Sequence, residues 1–236
     1  MPDKVPGVLS NGLIKRLPES ARIQLLAKLE QVSLPVGTYL YRAGEKPKFA
    51  HFITSGMASV VTAMLDGRTS EVGIWGREGL AEAIHLLGST LVPNSCFMQV
   101  EGSALRMRFS DLQAEFLASE PLRRVVLQSI QVQEFTLGQL AACNRLHEAE
   151  ERLARWLLMV GDLVGQDSFS LTQEFMGYML GARRTTVTLA AGVLQRSGLI
   201  TYHRGRIQIL DRENLEAVAC ECYQTVRELS RGSHSE

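Results

Sequence analysis

From Val32 to about Phe109, short apolar runs alternate with glycine-marked breaks. The runs are GTYLYR, HFIT, ASVVTAML, SEVGIW, CFMQV and ALRMRF, and the breaks fall at Gly37, Gly44, Gly56, Gly67, Gly76, Gly88 and Gly102. Strand-length runs with turn signals at that spacing predict a small β-roll or barrel. Asp66-Gly67, between ASVVTAML and RTSEVGIW, predicts a hairpin with a type I′ turn, in which both central residues need positive φ. A helix from about Glu19 to Leu29 precedes the roll. Beyond it the period changes. Ser119-Glu120-Pro121 is a helix start, and no proline follows it. Val126, Ile130, Gln133, Leu137, Leu140 and Asn144 recur at alternating spacings of four and three, which is the seam of a two-stranded coiled coil with polar register-setting positions at Gln133 and Asn144. A long helix paired with its twin is the expectation; the alternative is that the stripe packs on the roll. Gly138 permits close approach. A further helix, Ala149 to Val164, gathers Leu153, Trp156, Leu157 and Val160 on one face and is ended by Gly165.

The next stretch, SLTQEFMGYMLGARRTTVTLAAGVLQRSGLITYHRGRIQIL, is the most informative. Thr172 (or Ser170) is placed to cap a short helix whose Met176, Met179 and Leu180 face inward, and Glu174 complements its positive end. Gly181-Ala182-Arg183 reads as the turn of a helix-turn-helix. A second helix runs from about Arg184 to Ser197 with Val187, Ala190, Ala191 and Leu194 inward. Arg183, Arg184, Thr185 and Thr188 then face outward at its start, where a recognition helix meets base edges. Gly198 supplies a cap, and LITY and RIQIL form two strands around His203-Arg204-Gly205, a wing that carries Arg204 and Arg206.

Charge sharpens this reading. Lys+Arg and Asp+Glu both total 25, so the whole chain is neutral. Between Ser168 and Leu210, however, five arginines face one acidic residue, Glu174. One basic segment in a neutral chain is the footprint of a module that meets the phosphates of double-stranded DNA. Arginine can fork onto guanine or clamp phosphate, and threonine can reach a phosphate or a thymine methyl. The 236 residues and 45% apolar content suit two domains with real cores. MPDKVPGVLS lacks an apolar targeting core, and no run approaches ~18 apolar residues, so a cytoplasmic protein without a membrane span is expected. Cys96, Cys143, Cys220 and Cys222 read as free thiols. Cys220 and Cys222, placed in one helix, would point to different faces and make a poor metal site; no metal is expected. The five histidines, His51, His85, His147, His203 and His234, are scattered, which argues against the metal-dependent cupin enzyme that a glycine-punctuated roll would otherwise suggest.

The helix-turn-helix and wing segment resembles that of the CRP/FNR regulators, and the order of parts agrees along nearly the whole chain. The resemblance implies an α+β chain with an N-terminal cyclic-nucleotide-binding-type β-roll, a long dimerisation helix and a C-terminal winged helix-turn-helix. It places an arm at 1–18, the roll at 19–118, the dimerisation helix at 119–146, the DNA-binding domain at 147–213 and a C-terminal helix and tail at 214–236. The implied protein is a homodimer on an inverted repeat, with RNA polymerase as a further partner. Arg184 falls where the family has a base-contacting arginine, but Thr185 stands where many members carry glutamate. In cAMP-binding members a glycine-glutamate pair holds the ribose and an arginine-serine pair the phosphate. Here, after Gly79, Ala81-Glu82 and Asn94-Ser95 stand at those places, and the adenine positions fall at Leu137 and Gly138. Asparagine cannot supply the charged fork of arginine, so control by cAMP is not expected. No cofactor is expected and the effector is unknown. The resemblance leaves a haem-responsive protein, with His85 or Pro2 near the metal, and a redox-responsive one, with Cys143 on the dimer seam, as alternatives. Iron–sulfur sensing would need cysteines near the N-terminus, and none precedes Cys96.

Overall fold

The computed structural model describes residues 11–88, 91–171 and 173–232, without the side chains of Gln173 and Glu174. Thr172, the expected helix cap, lies outside the described residues. The chain divides into two compact units, Met1–Val60 with Ile74–Gln131, and Val61–Gly73 with Val132–Glu236. No helix among the described residues is long and apolar enough to cross a membrane.

The first unit holds most of the expected roll. Strands β1 (Glu30–Leu34), β2 (Tyr39–Tyr41), β3 (Phe49–Ala63), β4 (Thr69–Trp75) and β5 (Ser95–Arg108) form one sheet in the order β1-β5-β3-β4, with β2 also paired to β5. β1 runs antiparallel to β5 from Glu30 opposite Arg106 to Leu34 opposite Gly102. Leu34, Ile53, Ala58, Trp75, Cys96 and Met98 fill the interior. The sheet closes tightly where β3 meets β5. A Cβ on Gly102 would stand 1.9 Å from the Ser55 carbonyl oxygen, and one on Gly56, which has φ +79°, would stand 2.6 Å from that of Glu101. Only glycine allows two backbones so close.

A second core lies under the helices α1 (Gly12–Lys15), α2 (Glu19–Leu26), α3 (Phe109–Ala118) and the start of α4 (Glu120–Leu146). The arm expected over 1–18 is therefore corrected in its second half, because Leu13, Ile14 and Leu17 are buried in this core. Asn11 explains how. It is fully buried, its Oδ1 accepts from the Leu13 and Ile14 N–H groups, and its Nδ2 donates to the carbonyls of Ile53 and Gly79, each at 2.9 Å. Every polar valence of the cap is met, so it can be buried cheaply.

The stripe on α4 is also corrected. Val126 is fully buried in its own chain's core and Ile130 packs against it. Gln133 and Leu137 face Gly73, whose added Cβ would meet them at 2.8 and 3.4 Å. Leu140 is half-buried and Asn144 exposed. The apolar positions left exposed, Leu127, Phe135, Gly138, Ala141, Ala142 and Leu146, fall mostly one or two residues further on, so the exposed face lies well over ~100° round the helix from the stripe.

In the second unit the hairpin turn differs in type. Gly67 has φ +84°, whereas Asp66 is not in the left-handed region. The Gly67 N–H reaches the Met64 carbonyl at 2.9 Å and the Met64 N–H reaches the Arg68 carbonyl at 2.8 Å. That is a three-residue loop with glycine at its one left-handed position, a geometry that asks nothing unusual of Asp66. α5 (Ala149–Val164) buries an unbroken run from Leu153 to Gly161 and ends at Gly165, φ +70°. Around it pack β6 (Ser168–Ser170), α6 (Gln173–Leu180), α7 (Arg184–Arg196), β7 (Ile200–His203), β8 (Arg206–Ile209), α8 (Arg212–Val218) and α9 (Cys222–Gly232), with a small sheet in the order β6-β8-β7.

Candidate nucleic-acid interface and effector region

The interface is built from inside out. Met176, Met179 and Leu180 on α6 and Val187, Ala190, Ala191 and Leu194 on α7 are all buried, which sets the rotation of both helices. Gly181, φ +57°, opens the turn between them. Arg152 on α5 donates to the Asn144 carbonyl at 2.8 Å and to that of Leu180, so one cation serves the exposed carbonyl ends of α4 and α6. The outer face of α7 is consequently Arg183, Arg184, Thr185 and Thr188, all exposed at its N-terminal end. The Thr188 hydroxyl donates to the Arg184 carbonyl at 2.9 Å, leaving its methyl and lone pairs outward. Leu189, 67% exposed, belongs to the same face. Sequence reasoning missed it, although an exposed leucine amid arginine and threonine on a recognition helix suits a thymine methyl.

The wing stands beside this face. β7 and β8 pair from Ile200 opposite Ile209 to His203 opposite Arg206, leaving Arg204-Gly205 as the two-residue loop. Both have positive φ, +48° and +77°, so the type I′ turn sits here. Arg204 is the one non-glycine residue in the left-handed region among the described residues. Arg206 donates from Nε to the Ser168 hydroxyl at 3.0 Å. The Arg184 charge reaches the wing residue Tyr202, where it opposes the burial that raises the phenol's pKa.

In the roll, the residues aligned with a nucleotide cassette are occupied internally. Glu82 has no exposed surface. Its Oε2 accepts from the His51 N–H at 2.9 Å and its Oε1 pairs with the His51 Nδ1 at 2.6 Å. Ala81 is buried, and Gly79 lies under the Trp75 ring, 2.4 Å from where a Cβ would stand. The Ser95 hydroxyl accepts from the Ala43 N–H at 2.9 Å, and the Asn94 Oδ1 is buried without a hydrogen-bond partner among the described residues. Leu137 lies in the other unit. A separate cleft of about 430 Å³ in the roll, within the usual small-molecule range of ~300–1,000 Å³, is lined by Lys46, Lys48, His85, Leu91 and Phe109 among others. His85 is held edge-on to Tyr41 and Phe109, with its Nε2 lacking a hydrogen-bond partner among the described residues.

Cys96 is buried in the roll, where burial, then the Glu82 charge, push its thiol well up. Cys143 does not face outward as a seam residue: it is fully buried beside Cys220. The premise that Cys220 and Cys222 share a helix fails, because α8 ends at Val218 and α9 begins at Cys222. Among the described residues no group of three metal-ligating side chains lies in the roll, where a cupin would hold its metal.

Two family models match the chain, the cyclic nucleotide-binding domain over residues 31–119 and the Crp-like helix-turn-helix domain over residues 151–218. A CRP-like cAMP-activated global transcriptional regulator of Mycobacterium tuberculosis is 23% identical over 218 residues, covering 86% of this chain and 94% of its own. Among solved structures, FixK2 from Bradyrhizobium japonicum superimposes with a TM-score of 0.68 at 16% identity, covering 81% of this chain and 98% of its own. A CRP-family transcriptional regulator from Thermus thermophilus gives 0.67 at 19% identity, covering 80% and 96%. With a roll, a helix-turn-helix and a wing in this order, and both domain models matched in the same order, the chain belongs to the CRP/FNR family of transcriptional regulators.

Proposed function

We propose that the protein binds an inverted-repeat operator as a homodimer, reading bases with α7 and holding phosphate with the wing, and that it does so without a cyclic nucleotide. The observation that carries this reading is the exposed group of Arg183, Arg184, Thr185 and Thr188 at the start of α7, beside Arg204 and Arg206. A dimer about α4 would use the exposed face of Leu127, Phe135, Gly138 and Ala142, where nothing lies within 4 Å of a Cβ added to Gly138. Two recognition helices so presented would enter successive major grooves, with half-sites about 34 Å apart. The protein acts in the cytoplasm, with RNA polymerase as its downstream partner.

The Mycobacterium tuberculosis relative is described as cAMP-activated. That property is not carried over, because both oxygens of Glu82 are taken by His51 and Asn94 brings no positive charge to a phosphate. The test is selection of bound sites from random duplex DNA by the ligand-free, reduced protein. Enrichment of an inverted repeat supports the reading. Enrichment only when cAMP is added would overturn its nucleotide-independent part, and no enrichment with or without cAMP would count against base reading by α7.

A further inference from the structure

Four side chains distant in sequence converge where the end of α4 meets the break between α8 and α9. They are Cys143, His147, Cys220 and Cys222, with the three thiols buried and the imidazole half-buried. One ligand atom from each lies within 4.8 Å of all the others. Cys143 and His147 stand one turn apart, joined by the His147 N–H to the Cys143 carbonyl at 3.1 Å, so both project from the same side of the helix end. Cys220 and Cys222 flank the helix break, which turns both sulfurs inward.

Two of the separations match those of ligands around a single ion, and all four atoms lie within 4.8 Å of one another. With metal–sulfur bonds of about 2.3 Å and metal–nitrogen bonds of about 2.0 Å, a tetrahedral centre puts sulfurs about 3.8 Å apart and sulfur about 3.5 Å from nitrogen. Cys143 Sγ and Cys220 Sγ are 3.5 Å apart, and Cys222 Sγ is 3.7 Å from His147 Nδ1. A polynuclear iron–sulfur cluster spreads its thiolates over several irons and needs a wider cage.

The surroundings carry independent support. His147 turns Nδ1 to the sulfurs and Nε2 to Glu221 Oε2 at 3.1 Å, the carboxylate–histidine arrangement that fixes the tautomer of a metal-binding imidazole. Gln139 Nε2 donates to Cys222 Sγ at 3.1 Å. Arg155 is 3% exposed, its Nε has no hydrogen-bond partner among the described residues, and its charge acts on Cys143 and Cys220. A buried cation needs a counter-charge. Three thiolates, a neutral imidazole and a divalent ion carry one net negative charge, which meets that need.

We propose that Cys143, His147, Cys220 and Cys222 form a closed tetrahedral site for a thiophilic divalent cation, zinc, which fastens α8 and α9 to the end of α4. Four protein ligands leave no open position, so the site is structural rather than catalytic. It is independent of how the protein reads DNA.

The test is titration of the full-length, reduced protein with Co²⁺ and then Zn²⁺. One equivalent of cobalt should give thiolate charge-transfer bands and the intense visible bands of a tetrahedral centre, and one equivalent of zinc should abolish them. Cys220→Ser should lose or distort these bands, whereas Cys96→Ser should keep them. Glu221→Gln should bind one equivalent about 10- to 100-fold more weakly in competition with a chromophoric chelator, as expected for loss of the imidazole's outer partner. His147→Cys, which keeps four ligands, should retain tetrahedral bands, and it tests the site should Cys220→Ser not fold. Absence of tetrahedral thiolate bands in folded, reduced wild type would overturn the site, as would acid-labile sulfide in the isolated protein. A Cys143–Cys220 disulfide whose reduction restores no cobalt binding would assign the cluster to redox chemistry instead.

Discussion

Arg184 and Arg204 are both exposed arginines near the expected DNA surface, yet their backbones set them apart. Arg184 begins a helix whose rotation is held by four buried residues, so its guanidinium is delivered at a defined angle suited to a base edge. Arg184→Ala should cost about 1–3 kcal/mol on the operator and far less on random DNA, measured by competition binding. Equal losses on both would make it a phosphate contact. Arg204 occupies a left-handed position that costs a non-glycine residue about 1 kcal/mol or more. Arg204→Asn should therefore raise the stability of the wing slightly while weakening binding to all sequences alike and flattening the log–log salt dependence by about 0.9. An unchanged salt slope would show that Arg204 meets no phosphate. Glu82 is the third informative residue. Glu82→Gln would set an amide against two His51 donors in the roll core, so it should destabilise the protein by about 3 kcal/mol in urea unfolding. A variant as stable as wild type would mean that the carboxylate is not paired with His51 in solution. All three, Arg184, Arg204 and Glu82, were legible as candidates from their places in the chain. That Glu82 is spent on His51, 31 positions away, was not, because neither residue sits in a local pattern that names the other.

α4 shows what an element-level pattern can and cannot say. The four-three spacing of Val126, Ile130, Gln133, Leu137, Leu140 and Asn144 identifies a helix and an inward face, but periodicity carries no label for what covers that face. Val126 is covered by its own chain, and the apolar residues left exposed include Leu127 and Phe135, at 43% and 54% exposure. A double Leu127→Glu, Phe135→Glu variant should sediment as a folded monomer and lose operator affinity. Val126→Asp should instead unfold the roll, because it buries a charge where no partner stands. A dimeric double variant would move the interface off this face. The helix-turn-helix was the most legible pair of elements: every inward residue expected on α6 and α7 is buried, since two short crossing helices admit one rotation each.

At the scale of the whole molecule, two neutralising choices coexist: a chain of zero net charge, and a segment from 168 to 210 in which five arginines face Glu174 alone. Calorimetry with cAMP should give no binding heat, in keeping with the occupied Glu82; a saturable heat lost in Glu82→Gln would restore the roll as a nucleotide sensor. The sequence by itself determined the α+β order of parts, the change of period from roll to helix, the helix-turn-helix with its buried positions and the wing, because each is written in spacings of a few residues and in glycines that local backbone geometry demands. Only the tertiary structure decided that residues 11–17 belong to the core, that the inward face of α4 is covered by its own chain at Val126 and Ile130, that His51 fills Glu82, and that Cys143 and His147 meet Cys220 and Cys222. Those outcomes join positions from 31 to 79 residues apart, or choose between two possible covers for the same apolar face, and a local pattern fixes neither the partner nor the distance.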